Sequence, residues 1–149
     1  MSVHTILVGG DASEGTLAAL RWAAKLAADL GARVVVVHAF EPLGHLGELA
    51  PGADLLAART RSEVELRGPV CEELRARGVE HKALLREGIP ARVLVEVAEE
   101  VDADLIVVGA RRRGPWRKLL LGSTSSALAQ LTSRPVVIVH ERAGKSELG

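Results

Sequence analysis

Large aromatic side chains are almost missing from this chain: Trp22, Phe40 and Trp116 are the only Trp or Phe among 149 residues, and there is no tyrosine. Yet 48% of the residues are hydrophobic, so a core must be built from Val, Leu, Ile and Ala. Such a core suits parallel strands covered by helices on both faces. Cysteine is nearly missing too. The single Cys71 excludes an intramolecular disulfide and a cysteine-based zinc site. It reads most simply as a small buried or half-buried side chain. Charge of one sign is not in excess, with 19 basic and 19 acidic residues. That balance argues against a general binder of nucleic acid or membrane surfaces. Long apolar runs are lacking as well. The longest are strand-length, and MSVHTILVGGD has no charged leader before a long apolar run, so neither a membrane span nor a signal peptide is expected. A soluble, cytoplasmic protein is the expectation. The histidines His4, His38, His45, His81 and His140 are scattered, none at metal-ligand spacing with a carboxylate or thiol.

What is present is a regular alternation of strand and helix signals. Val3 to Gly9 is a short apolar run ending in Gly-Gly-Asp, a first strand. Ser13 to Leu30 follows with Leu17, Leu20, Ala24, Ala27 and Leu30 at helical spacing and Gly31 as a stop. Trp22, on this helix, reads as packing. Val34 to Phe40 is β-branched and unbroken, a buried strand, and a Gly- and Pro-rich loop runs from Glu41 to Ala53. A helical segment from Asp54 to Arg77 stops at Gly78 and contains Gly68-Pro69, where the missing donor and ring clash of proline predict a kink or break. Val79 to Arg86 is a weaker strand, polar enough for a sheet edge. Pro90 opens a helix with the stripe Ala91, Leu94, Val97, Ala98 and Val101. Asp104 to Gly109 is a strand, Ala110 to Leu121 a loop, Gly122 to Leu131 a short helix and Pro135 to His140 the last strand. The order implies right-handed crossovers in one α/β domain, residues 1–142, with an open parallel five-stranded sheet and helices on both faces. The polar tail 143–149 reads as disordered.

In open parallel sheets, ligands bind beyond the carboxyl ends of the strands, where strand order reverses. Two strand ends carry suitable residues. The first gives Gly9-Gly10-Asp11-Ala12-Ser13. The fourth gives Gly109, the run Arg111-Arg112-Arg113, and then Gly122-Ser123-Thr124-Ser125-Ser126. Free N–H groups and hydroxyls at a helix start suit an anion, and the arginines would add positive charge. The same residues also have plainer uses. Asp11 or Ser13 serves equally as a helix cap, Gly122-Ser123 as a bare helix start, and the arginine run as a solvated loop.

Ile6-Leu7-Val8-Gly9-Gly10-Asp11-Ala12-Ser13, Asp104-Leu105-Ile106-Val107-Val108-Gly109, Leu119-Leu120-Leu121-Gly122-Ser123 and Pro135-Val136-Val137-Ile138-Val139 together resemble the universal stress protein family. The resemblance implies a Rossmann-like fold of the adenine nucleotide alpha hydrolase-like type. The family's nucleotide-binding branch carries Gly, two residues, Gly, nine residues, then Gly-Ser or Gly-Thr. Gly109 and Gly122-Ser123 fit the ends of that pattern, while Arg112 stands at the middle glycine. By resemblance, Asp11, following Gly9 and Gly10, would face the ribose or adenine. The backbone at Ala39 would read the adenine edge. Gly122, Ser123 and Thr124 would hold phosphate oxygens, with Arg112 and Arg113 in the covering loop.

The function so implied is a stress-response regulator binding ATP or a related adenine nucleotide, with magnesium held through the phosphates and at most slow turnover. No nucleophile–base pair, Gly-x-Ser-x-Gly or Gly-x-x-x-x-Gly-Lys motif is present. The alternative, kept alive by Arg112, is a nucleotide-free dimeric scaffold for an unknown protein partner. The apolar last strand, at a sheet edge in the family's topology, implies a homodimer.

Overall fold

The computed structural model describes residues 2–10, 14–40, 55–110 and 123–140. Its elements follow the alternation read from the sequence. They are β1 (Thr5–Gly9), α1 (Glu14–Leu30), β2 (Arg33–Phe40), α2 (Leu55–Glu65), a π-helical turn (Leu66–Val70) and α3 (Cys71–Ala76). Then come β3 (His81–Glu87), α4 (Pro90–Val101), β4 (Leu105–Gly109), α5 (Ser123–Leu131) and β5 (Val136–Val139). The five strands form one sheet in the order β3-β2-β1-β4-β5, and every pairing is parallel. β3 and β5 are the edges, as the polar sequence of β3 suggested and as the family resemblance implied for β5. Strand order reverses between β1 and β4, which lie side by side with Ile6 opposite Leu105 and Gly9 opposite Val108.

The period of two along each strand divides the apolar side chains between two layers. Ile6, Val8, Val34, Val36, Leu105 and Val107 face α1 and the α2–α3 segment, packing with Ala19, Leu20, Ala23, Ala24, Leu66, Cys71 and Leu74. Leu7, Val35, Val37, Ile106 and Val108 face α4 and α5, packing with Val93, Leu94, Val97 and Leu128. The small alanines of α1 let that helix lie close on the sheet.

The buried face of α1 is rotated from the expected stripe. Thr16, Ala19, Leu20, Ala23, Ala24 and Ala27 are buried, whereas Leu30 is 51% exposed and Trp22 is 41% exposed. Trp22 is therefore not a packing residue. Its position falls on the solvent side once alanines, which permit the closest approach, take the sheet side. On α4 the expected stripe is buried from Ala91 to Ala98, with Val93 added to it and Val101 half-buried.

Gly68-Pro69 interrupts its helix as expected, through a π-turn rather than a stop. The carbonyls of Arg67 and Gly68 there accept from the Arg75 guanidinium at 3.0 and 2.9 Å. Cys71 is buried and its thiol donates to the Leu66 carbonyl at 3.1 Å. Burial pushes this thiol above its ordinary pKa, with Arg75 and Arg67 pulling it partly back. It is an inert core group. Among the described residues, no helix is long and apolar enough to cross a membrane.

Candidate functional site

At the carboxyl end of the sheet, the β1/β4 reversal gathers three backbone contributions. The first follows β1. Gly10 has φ +149, a conformation that favours glycine. A Cβ there would sit 2.1 Å from the Thr16 hydroxyl oxygen, so the turn also needs glycine to let α1 approach. The Gly10 N–H donates to the Val37 carbonyl at 3.0 Å, and the Gly10 carbonyl lies 2.9 Å from Nδ1 of His38. The start of α1 is thereby tied to β2.

The second is the end of β4. A Cβ on Gly109 would come within 2.3 Å of the Gly15 carbonyl oxygen and 2.5 Å of its carbon. The first turn of α1 thus rests on the bare backbone of β4. The next residue, Ala110, is buried and donates its N–H to Val139 of β5 at 2.9 Å. Gly9 faces the other layer, where a Cβ would meet Leu94 at 2.6 Å. Each of these glycines clears space for a neighbouring element, so backbone rather than side chain borders the β1/β4 crevice.

The third contribution is β2. The last β1–β2 pair is Gly9 with Val37, while β2 continues to Phe40 alongside β3. The Val37 carbonyl points toward β1, and the Phe40 carbonyl points toward β3, where it accepts from Gly88. Direction alternates along a strand. The N–H and carbonyl of Ala39 therefore point to the β1 side, beyond the last residue with which β1 pairs. That is the edge at which the resemblance puts a base-reading backbone.

α5 begins at Ser123, so its amino end lies at this same edge, where a parallel crossover must turn back. Ser125 is buried and Thr124 half-buried, and α5 packs on α4 through Leu128. The positive end of the helix dipole is thus directed to the edge that anions approach.

Of the residues singled out in the sequence, Gly9, Gly10, Ala39 and Gly109 meet at the reversal, and Ser123 and Thr124 open the adjacent helix. Asp11, Arg112, Arg113 and Gly122 lie outside the described residues, as do Ser13, the loop 41–53 and the tail 143–149. Sequence reasoning missed His38 as more than a landmark before Ala39. Its signal was a polar ring breaking the β-branched run Val34–Val37 at the carboxyl end of a central strand.

Residues 2–140 match the model of the universal stress protein family. The chain belongs to that family. It is 36% identical over 138 residues to a universal stress protein of Thermus aquaticus, covering 91% of this chain and 98% of the relative. It is 33% identical over 143 residues to one of Mycolicibacterium smegmatis, covering 92% of this chain but only 48% of the relative, so the chain spans about half of that longer protein. Among solved structures, a universal stress protein in complex with cAMP superimposes with a TM-score of 0.72 at 29% identity, covering 94% of this chain and 98% of the other. The Archaeoglobus fulgidus protein in complex with dAMP gives 0.69 at 25% identity, covering 93% and 99%. The open parallel sheet is thus the family's fold.

Proposed function

We propose that this universal stress protein binds an adenine nucleotide at the crevice between the ends of β1 and β4. The observation that carries the reading is the convergence of bare backbone at the strand-order reversal. Gly9, Gly10 and Gly109 withdraw side chains from this edge, and Ala39 turns its backbone donor and acceptor toward it. The N–H and carbonyl of one residue, pointing the same way, suit the edge of adenine, which presents both an acceptor nitrogen and an amino donor. The start of α5 and the arginine loop supply the positive end for phosphate. Two of the family members it resembles carry adenine nucleotides, cAMP and dAMP. Magnesium, when it accompanies the nucleotide, is held mainly by phosphate oxygens. The role is that of a stress-response regulator whose contacts depend on occupancy, with little turnover, because the sequence offers no placed nucleophile–base pair.

Saturating nucleotide should raise the melting temperature. A ligand at one hundred times its Kd stabilises the folded state by about 2.7 kcal/mol, or roughly 5–10 °C in a domain of this size. ATP, ADP or AMP should give that shift and GTP should not. No shift with any adenine nucleotide favours the second reading, a nucleotide-free scaffold, for which Arg112 at the middle glycine of the motif is the specific observation.

The partner proposed with this function is a second copy of the chain. β5 is an edge strand of four apolar residues, Val136 to Val139, each half-buried, and such an edge can pair across a two-fold axis. Light scattering at micromolar concentration should give twice the chain mass, and Val137→Lys should reduce it to one.

A further inference from the structure

We infer that His38 is a positioning residue of the crevice, fixing through its ring the Gly10 peptide that sets the β1–α1 turn against the base-reading end of β2. The inference rests on the adenine-nucleotide reading above and adds a residue and a protonation form to it.

Three successive residues of β2 act on the crevice. The Val37 carbonyl accepts from the Gly10 N–H at 3.0 Å. The His38 ring reaches the Gly10 carbonyl with Nδ1 at 2.9 Å. Ala39 turns its backbone outward beyond β1. Gly10 is thus held on both of its polar groups by neighbouring residues of one strand, in a conformation, φ +149, that residues other than glycine rarely adopt. The next residue is Asp11, the acidic group expected at the ribose or adenine. A carbonyl oxygen can only accept, so Nδ1 must carry the proton. Neutral His38 is then the Nδ1–H tautomer, with the lone pair on Nε2. Without that donor the Gly9–Gly10 peptide keeps its bond to Val37, but the Gly10–Asp11 peptide, which carries the carbonyl, is free to rotate, and the chain leaving β1 loses its fixed direction beside Ala39. The cost falls on binding, because the turn must then be ordered when the ligand arrives.

The test compares side chains that place a donor differently. Asparagine puts an amide N–H at the distance of Nδ1 from the backbone, whereas glutamine carries it one carbon farther. AMP titrated by calorimetry should bind wild type and His38→Asn within about threefold of each other, and His38→Gln and His38→Leu at least about tenfold more weakly. The order should persist when each protein is titrated equally far below its own melting temperature, which a merely structural role would not produce. Long-range proton–nitrogen spectra of the ligand-free wild type should show the Nδ1–H tautomer. An Nε2–H tautomer overturns the inference even if a variant does not fold. Equal affinity of all four proteins overturns it while leaving the nucleotide site standing. Failure of the wild type to bind AMP, ADP or ATP removes the site and this inference together.

Discussion

Where the strands begin, polar side chains close on one another; where the two central strands β1 and β4 end, glycines stand instead. At the first edge, the Asp104 carboxylate accepts from the N–H groups of His4 and Thr5 at 2.7 and 3.0 Å, and Arg33 donates to the Thr5 hydroxyl at 2.9 Å. Arg134 donates to Asp102 and to the Ala103 carbonyl at the end of α4. The glycines on this edge, Gly31 and Gly78, have φ +68 and +66 and nothing within 4 Å of an added Cβ. They serve only to turn the chain at helix ends. At the second edge, a Cβ added to Gly9, Gly10, Gly88 or Gly109 would come within 2.1 to 2.9 Å of a neighbouring atom. Polar groups satisfied by each other hold a fold together and leave little for a ligand. Backbone pressed against backbone, with a strand running past its neighbour, leaves donors and acceptors facing outward.

The comparison can be broken most forcefully at Gly109. Gly109→Val must push the first turn of α1 off β4, since its Cβ would meet backbone rather than a flexible side-chain tip. A loss of about 3 kcal/mol is expected, or roughly 6–12 °C in melting temperature, together with loss of nucleotide binding. Gly31→Ala, at the opposite edge, meets no atom and costs only the left-handed backbone, roughly 1–2 kcal/mol, with nucleotide affinity unchanged. Equal losses for the two variants in thermal melts would erase the distinction between the edges.

Asp104→Ala sharpens the structural edge. Removing a half-buried, water-facing acceptor of two backbone N–H groups should cost about 1 kcal/mol at neutral pH and leave binding intact. The His4 N–H first, then that of Thr5, hold the Asp104 carboxyl below its ordinary pKa. A folded-state value below the unfolded one stabilises fully above the unfolded value, about 3.9, and the stabilisation is lost as pH falls through the folded value. Urea midpoints taken on acidification below about pH 4 should therefore fall more steeply for wild type than for Asp104→Ala. Parallel curves would mean that the carboxylate is not a clamp.

The smallest effect is expected at Arg112→Gly, which restores the middle glycine of the motif. Glycine relieves any backbone cost and lets the chain approach phosphate, so ATP should bind as tightly as before or a few-fold tighter. Weaker binding by calorimetry would show instead that the guanidinium grips phosphate.

Much of this architecture could be read from residue patterns. The β-branched run from Val34 to Phe40 announced a buried strand, Asp104 to Gly109 another strand, and the more polar Val79 to Arg86 an edge. Gly68-Pro69 announced a break, although whether it would stop the helix or bulge into a π-turn depended on Arg75 coming back to cap the carbonyls. Leu30 and Trp22 were misjudged because hydrophobicity was weighed above size: alanine, not the larger residue, lies closest to the sheet. At the site, the pattern named Gly9, Gly10 and Gly109 but not what each makes room for, since Leu94, Thr16 and Gly15 come from other elements. His38 was hidden for the same reason. Its partner, Gly10, is remote in sequence and meets it only through the pairing of β1 with β2.

The central claim is that the ligand edge is the one where the strands end. Backbone amide shifts of the protein followed as AMP is added test it directly. Gly10, Ala39, Gly109 and Thr124 should move together and saturate with one Kd, while Thr5, Arg33, Asp104 and Arg134 stay in place. Shifts centred on the Asp104 edge, or none up to millimolar AMP, ADP and ATP, would contradict it.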